Sequence, residues 1–225
     1  MPFGCLSLAF VFIFAVLFPF ILAGAVLEAL AELGLSEGAS LLAIFGVMGG
    51  SLINIPLKKI PRGETIERMP VQLFGLRRFF PRFVRRERYT IIAVNVGGCL
   101  VPCSLAIYEL VRIGATRGSS GLLLAFVAVG VNTLLCYLTA RPVPRVGIAM
   151  VPFVPALVAA LSAVLLLPDF APPLAFAAGV LGPVIGGDLL HLRDISKLGT
   201  GMASIGGAGT FDGIVLSGLV ATLLA

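Results

Sequence analysis

The chain has 225 residues, 59% of them hydrophobic and only 12% charged, with a mean hydropathy of +1.10. A soluble domain carries roughly 25% charged residues, so the composition excludes an ordinary soluble enzyme and points to an all-α fold. The expected form is a polytopic transmembrane helical bundle in which residues 1–225 make a single domain. The net charge is +5, but ten of the sixteen lysines and arginines lie between Lys58 and Arg88, beside apolar runs. That placement argues for anionic lipid and against nucleic acid as the partner of the positive charge.

Seven apolar runs read as membrane spans by length. The first covers residues 6–27. Its Ala23-Gly24-Ala25 resembles a signal cleavage site, but the run lacks a basic leader and is long for a signal. Glu28, Glu32 and Glu37 form an acidic connection to the second span, residues 39–57. Residues 58–88 follow as a basic cytoplasmic or interfacial loop. Within it, residues 71–88 interleave aromatic and basic side chains, as a segment lying on anionic lipid does. The third and fourth spans are residues 89–111 and 121–139. The fifth, residues 146–167, contains Pro152 and Pro155. The sixth, residues 172–192, opens on Pro172-Pro173, where proline suits a helix start. A glycine-rich cytoplasmic loop, residues 193–209, runs into the seventh span, residues 207–225.

With the N-terminus in the cytoplasm, fourteen of the sixteen basic residues face inward and only Arg112 and Arg117 face outward. The positive-inside rule selects that orientation, in the inner (plasma) membrane. The cysteines Cys5, Cys99, Cys103 and Cys136 have no zinc-ribbon or redox spacing, and no metal or cofactor is expected. Val47-Met48-Gly49-Gly50-Ser51-Leu52 and Val96-Gly97-Gly98-Cys99-Leu100 echo one another, as small residues at helix contacts do. A homo-oligomer is compatible with these features.

Asp188 and Asp212 are the leading candidates, because an ionisable group inside an apolar span is costly and tends to be functional. At about 1.5 Å per residue, both lie roughly 20 Å from the outer face, as does Asn54, and Asn95 reaches the same layer from the inside. Asn132 falls nearer the midplane. Backbone irregularity gathers at this level in Pro183, Gly186, Gly187, Gly206, Gly207, Gly209 and Gly213. Non-helical backbone at such depth is tolerated around a protein-lined or watery cavity. The expectation is a cytoplasm-facing polar pocket of Asp188, Asp212, Asn54, Asn95, Asn132 and His191. His191 and Asp194 follow Asp188 at helical spacing, a pattern of metal ligands or, more commonly, of a solvated helix tip.

Three functions suit such a pocket. Paired carboxylates that share a proton can activate water for hydrolysis. Carboxylates flanked by amides can couple solute transport to a proton or cation. A non-catalytic subunit or scaffold would use Asp212 as a helix cap and Asp188 as the partner of a rim cation. No nucleotide-binding glycine loop or nucleophile elbow is present.

Ile185-Gly186-Gly187-Asp188 resembles the Gly-x-Gly-Asp motif of presenilin-like and prepilin-peptidase-like intramembrane aspartyl proteases, with isoleucine in place of the first glycine. Phe211-Asp212 resembles their Tyr-Asp partner motif and Pro155-Ala156-Leu157 their Pro-Ala-Leu motif, although the order along the chain differs. This resemblance implies a di-aspartyl catalytic centre of Asp188 and Asp212. A longer resemblance covers about residues 40–225. Its segments are Asn54-Ile55-Pro56-Leu57, Asn95-Val96-Gly97-Gly98, Gly187-Asp188-Leu189-Leu190 and Ser204-Ile205-Gly206-Gly207-Ala208-Gly209-Thr210-Phe211-Asp212-Gly213. They resemble an uncharacterised bacterial and archaeal family of integral membrane proteins, a domain of unknown function. It implies an integral membrane fold and no particular activity.

Overall fold

A computed structural model describes residues 3–70, 81–143, 147–151, 153–195, 201–207 and 213–225. Helix α1 runs Phe3–Glu32 and ends on Gly34, whose φ of +72° allows a left-handed cap. The Gly34 N–H reaches the Ala31 carbonyl and the Leu35 N–H the Leu30 carbonyl, the paired bonds that satisfy a helix C-terminus. Helix α2, Glu37–Gly50, starts at Ser36, whose hydroxyl accepts from the Ala39 N–H.

The chain then turns to strand. β1, Asn54–Pro70, pairs antiparallel with β2, Pro81–Asn95, and β5, Met202–Ile205, adds to β2 in parallel. This corrects three expectations. The second span stops at Gly50, seven residues early. Residues 89–95 belong to a strand and not to a third span. The described parts of 58–88 and 193–209 contain β structure where loops were expected. Pro56 and Pro61 explain the first change, since proline cannot continue a helix and biases its predecessor to extended backbone. β1 is an edge strand, where proline is tolerated, and its register shifts fall at Pro56/Lys58 and Pro61/Glu64. In β2, Thr90, Ile91, Ile92 and Val94 are β-branched residues that favour a pleated, packed strand. Of residues 71–88, 71–80 lie outside the described residues.

Beyond β2 a π-helical segment, Val96–Leu100, leads into α3, Val101–Thr139. This long helix breaks at Gly118, with φ +68° and ψ −160°. A Cβ on Gly114 would lie 3.8 Å from the Leu122 side chain, whereas eight residues of straight helix span about 12 Å. The chain therefore turns back at Gly118, dividing α3 near the expected boundary between the third and fourth spans. A short hairpin of β3, Arg141–Val143, and β4, Gly147–Ala149, precedes α4, Phe153–Leu166. Helix α5, Ala171–Gly182, passes into a second π-helical segment, Pro183–Leu189, then α6, Leu192–Ile195. Helix α7, Gly213–Leu224, ends the bundle.

The core lies around α5, which packs against α3, α4 and α7. Leu174, Ala175, Ala177, Ala178 and Val180 are fully buried there. The small side chains let the helices approach closely. Among the described residues, the helical stretches 96–139 and 168–194 are long and apolar enough to cross a membrane. Helices α2, α4 and α7 are apolar but shorter.

Candidate functional site

The two glycine pairs that echo one another in the sequence are in contact. A Cβ on Gly50 would lie 2.8 Å from the Gly97 nitrogen, and one on Gly97 would collide with the Val47 carbonyl oxygen. Only glycine lets the end of α2 meet the first π-helical segment so closely. A Cβ on Gly98 would likewise strike the Gly206 carbonyl oxygen. These approaches bring three stretches of backbone to one point: the end of α2, the β2–α3 junction and the turn after β5.

Asn95 ties them together. It is fully buried, at the last position of β2, and pairs in register with Asn54 at the first position of β1. Its Nδ2 donates to the Ser51 carbonyl at 2.7 Å and to Asn54 Oδ1 at 3.2 Å. Its Oδ1 accepts from the Gly98 N–H at 2.7 Å, capping the π-helical segment. The Ser204 hydroxyl of β5 donates to the same Asn54 Oδ1 at 2.6 Å. Two residues later the Gly206 N–H donates to Asp188 Oδ2 at 2.9 Å. Asn54 and Asn95 are thus bonded to each other and linked to Asp188 through Ser204 and Gly206, and both amides sit at strand ends and not on helices. Gly206 and Gly207 have φ of +82° and +67°, which lets the chain turn from β5 past Asp188.

Asp188 is half-buried and lies on the π-helical segment that opens at Pro183. Proline's missing N–H breaks the regular ladder, and the Leu190 N–H closes onto the Ile185 carbonyl five residues back. Single π turns recur at functional sites because they re-aim side chains. Gly186 is required for packing, since a Cβ there would meet the Thr133 carbonyl oxygen. His191 is buried, with Nδ1 at 3.0 Å from the carbonyl oxygens of both Gly186 and Gly187. Carbonyls only accept, so Nδ1 carries a proton. The imidazole ring lies 5.0 Å from the Tyr137 ring, centroid to centroid.

Asn132 is not bonded into this assembly. It is fully buried between α3 and α5, with Nδ2 donating to the Ala178 carbonyl at 2.8 Å. Among the described residues its Oδ1 has no hydrogen-bond partner, nor do the hydroxyls of Thr133 and Ser217. Gly213 is the first residue of α7. Asp212 and Gly209 lie outside the described residues.

Glu109 is a further buried carboxylate, apart from the Asp188 assembly. It is fully buried on α3, with Arg112 Nη1 at 3.1 and 3.4 Å from its two carboxylate oxygens. The same guanidinium donates to the Leu33 carbonyl at the end of α1, where a cation meets the negative end of the helix dipole. In the sequence its signal was a carboxylate inside the apolar run 89–111, masked by the nearby arginine. Arg117 pairs with Asp169 and stacks 5.1 Å over the Phe170 ring. The Sγ atoms of Cys99 and Cys103 lie 3.9 Å apart. Among the described residues, no three His, Cys, Asp or Glu side chains are grouped to hold a metal ion.

Residues 48–224 match the family described as Protein of unknown function (DUF1614), and the chain belongs to that family. No curated protein and no solved structure matches it.

Proposed function

We propose that this family member is a multi-pass inner-membrane protein whose cytoplasmic-side polar assembly is a di-aspartyl hydrolytic centre, cleaving peptide bonds within or beside the membrane. The observation that carries the reading is the Asp188–Gly206 hydrogen bond. It fastens the first carboxylate to the turn whose next residues lead, through Asp212, into α7. Two carboxylates held close share one proton, so that one activates water while the other polarises the scissile carbonyl.

The membrane setting rests on the surface. Leu42, Phe45, Phe153 and Leu165 are each at least 69% exposed, and so much apolar surface over several helices suits lipid better than water. Seven crossings with the N-terminus inside remain the topology that places most basic charge in the cytoplasm. The basic stretch 71–88 would then meet anionic headgroups.

Transport is the weaker reading for a specific reason. It uses Asn54, Asn95 and Asn132 as neutral ligands, yet Asn54 Oδ1 already accepts from two donors and Asn95 Oδ1 from the Gly98 N–H, and Asn132 lies apart from both, between α3 and α5. Asn95 holds the backbone of Ser51 and Gly98, and Asn54 holds the Asn95 and Ser204 side chains. The test is cleavage of a co-expressed single-span protein substrate by the wild type and by Asp188→Asn and Asp212→Asn. Cleavage lost in both variants supports the proposal. Cleavage by neither wild type nor variants, together with pH-driven solute uptake in proteoliposomes lost in both variants, replaces it with transport.

A further inference from the structure

A cavity of about 450 Å³ lies between α1, α2 and α7, closed behind by α3 and α5. Ala23, Leu27, Ile44, Met48, Phe176 and Leu219 are among its walls, and every lining side chain is apolar. Leu27 and Met48 are 43% and 56% exposed, so the cavity opens sideways between α1 and α2. The neighbouring outer face of α2 carries the exposed Leu42 and Phe45.

The lining decides what can fill this space. Wall atoms facing a void lose their dispersion contacts, so an opening of this size draws in an occupant. Water is a poor one, because it needs two or more polar partners. A peptide backbone is excluded for the same reason unless it is helical. A partner helix is a rigid cylinder about 10–12 Å across with its side chains, far bulkier than a single hydrocarbon chain. A hydrocarbon chain is thinner, flexible and without polar needs, and in the membrane setting proposed above, on which this inference rests, it is the bulk component of the surroundings.

We propose that this cavity is a binding site for one acyl chain of a bilayer phospholipid, with the headgroup left outside. The site is separate from the Asp188 assembly and stands whether or not that assembly hydrolyses anything. It gives α1 a hydrocarbon packing partner in addition to its contacts with α2, α5 and α7.

The chain has no tryptophan, so single introduced tryptophans report locally. Ile44→Trp and Leu27→Trp place an indole on opposite cavity walls, and Leu42→Trp places one on the outer face of α2. Each variant is reconstituted in phosphatidylcholine brominated on its acyl chains, then exchanged into detergent. The expected result is that the two wall tryptophans stay quenched while Leu42→Trp recovers its fluorescence. Native mass spectrometry of the wild type after the same exchange should show one retained phospholipid. A bare wild-type mass overturns the proposal. A retained lipid with all three tryptophans recovered also overturns it, by placing the lipid elsewhere.

Discussion

The Asp188 carboxylate accepts the Gly206 N–H at 2.9 Å, joining the π-helical end of α5 to the turn that leaves β5. The other end of that turn is held by Ser204, which bonds Asn54, which in turn bonds Asn95. The strand-end amide pair is therefore linked to the candidate carboxylate through hydrogen bonds at Ser204 and Gly206 and the two residues of backbone that join them. The position of Asp188 depends on residues far from it in sequence, and this dependence can be measured.

Asn95 should be the most sensitive amide. Asn95→Ala removes donors to Ser51 and Asn54 and the acceptor for Gly98, all at a fully buried position. The expected loss is about 2–3 kcal/mol, given net values near 1 kcal/mol per bond plus unsatisfied groups left behind. Ser204→Ala removes one bond, while Asn54 Oδ1 keeps Asn95 as a donor, so about 1 kcal/mol is expected. Thermal unfolding in detergent measures both. Equal loss in the two variants would contradict the hierarchy.

The glycines make a second prediction, with opposite signs at two positions. Gly97→Ala forces a Cβ into the Val47 carbonyl, a backbone atom that can move only by parting α2 from the π-helical segment. A loss of about 2 kcal/mol is expected, as for overpacked sites. Gly130 sits within α3 with nothing near its missing Cβ. Gly130→Ala should therefore gain up to about 1 kcal/mol from helix propensity alone. The same thermal measurement checks both signs.

Much of this was legible in the residues. The apolar runs gave the helical character, and Asn54, Asn95 and Asp188 drew attention through the cost of polar groups in apolar surroundings. The three are linked through Ser204 and Gly206. What the residues concealed is that Asn54 and Asn95 end strands. An apolar run of this length cannot be told from a helix by hydropathy alone, and the prolines at 56 and 61 were the overlooked sign. Glu109 was missed because it lies in a run judged by its average. The Gly49-Gly50 and Gly97-Gly98 echo was visible, but only the structure shows that the two pairs touch, since contact between distant segments leaves no trace in local pattern.

Arg112 is predicted to matter more than its charge alone would require. It neutralises the buried Glu109 and also satisfies the Leu33 carbonyl at the end of α1. Arg112→Ala leaves both groups unpaired. Its side chain is 29% exposed, which moderates the usual cost of breaking a buried pair, so about 2–3 kcal/mol is expected. Glu109→Gln keeps a hydrogen-bond acceptor for Arg112 and leaves the Leu33 contact in place, so it should cost less. Unfolding curves of the two variants in the same detergent compare them directly.

The decisive pair of substitutions is at Asp188 itself. Asp188→Asn retains an oxygen at the same place, so the Gly206 N–H keeps an acceptor and the turn after β5 keeps its anchor. Its thermal stability should stay within about 1 kcal/mol of wild type, the range of one neutral hydrogen bond. An amide cannot take a proton from water or share one with a second carboxylate, so hydrolysis should nevertheless be abolished. Asp188→Ala loses the acceptor as well and should fall in both stability and activity. The proposal therefore requires a dissociation: Asn stable and inactive, Ala destabilised and inactive. If Asp188→Asn is instead both stable and fully active on the single-span substrate, Asp188 is an anchor for the turn and not a catalytic residue.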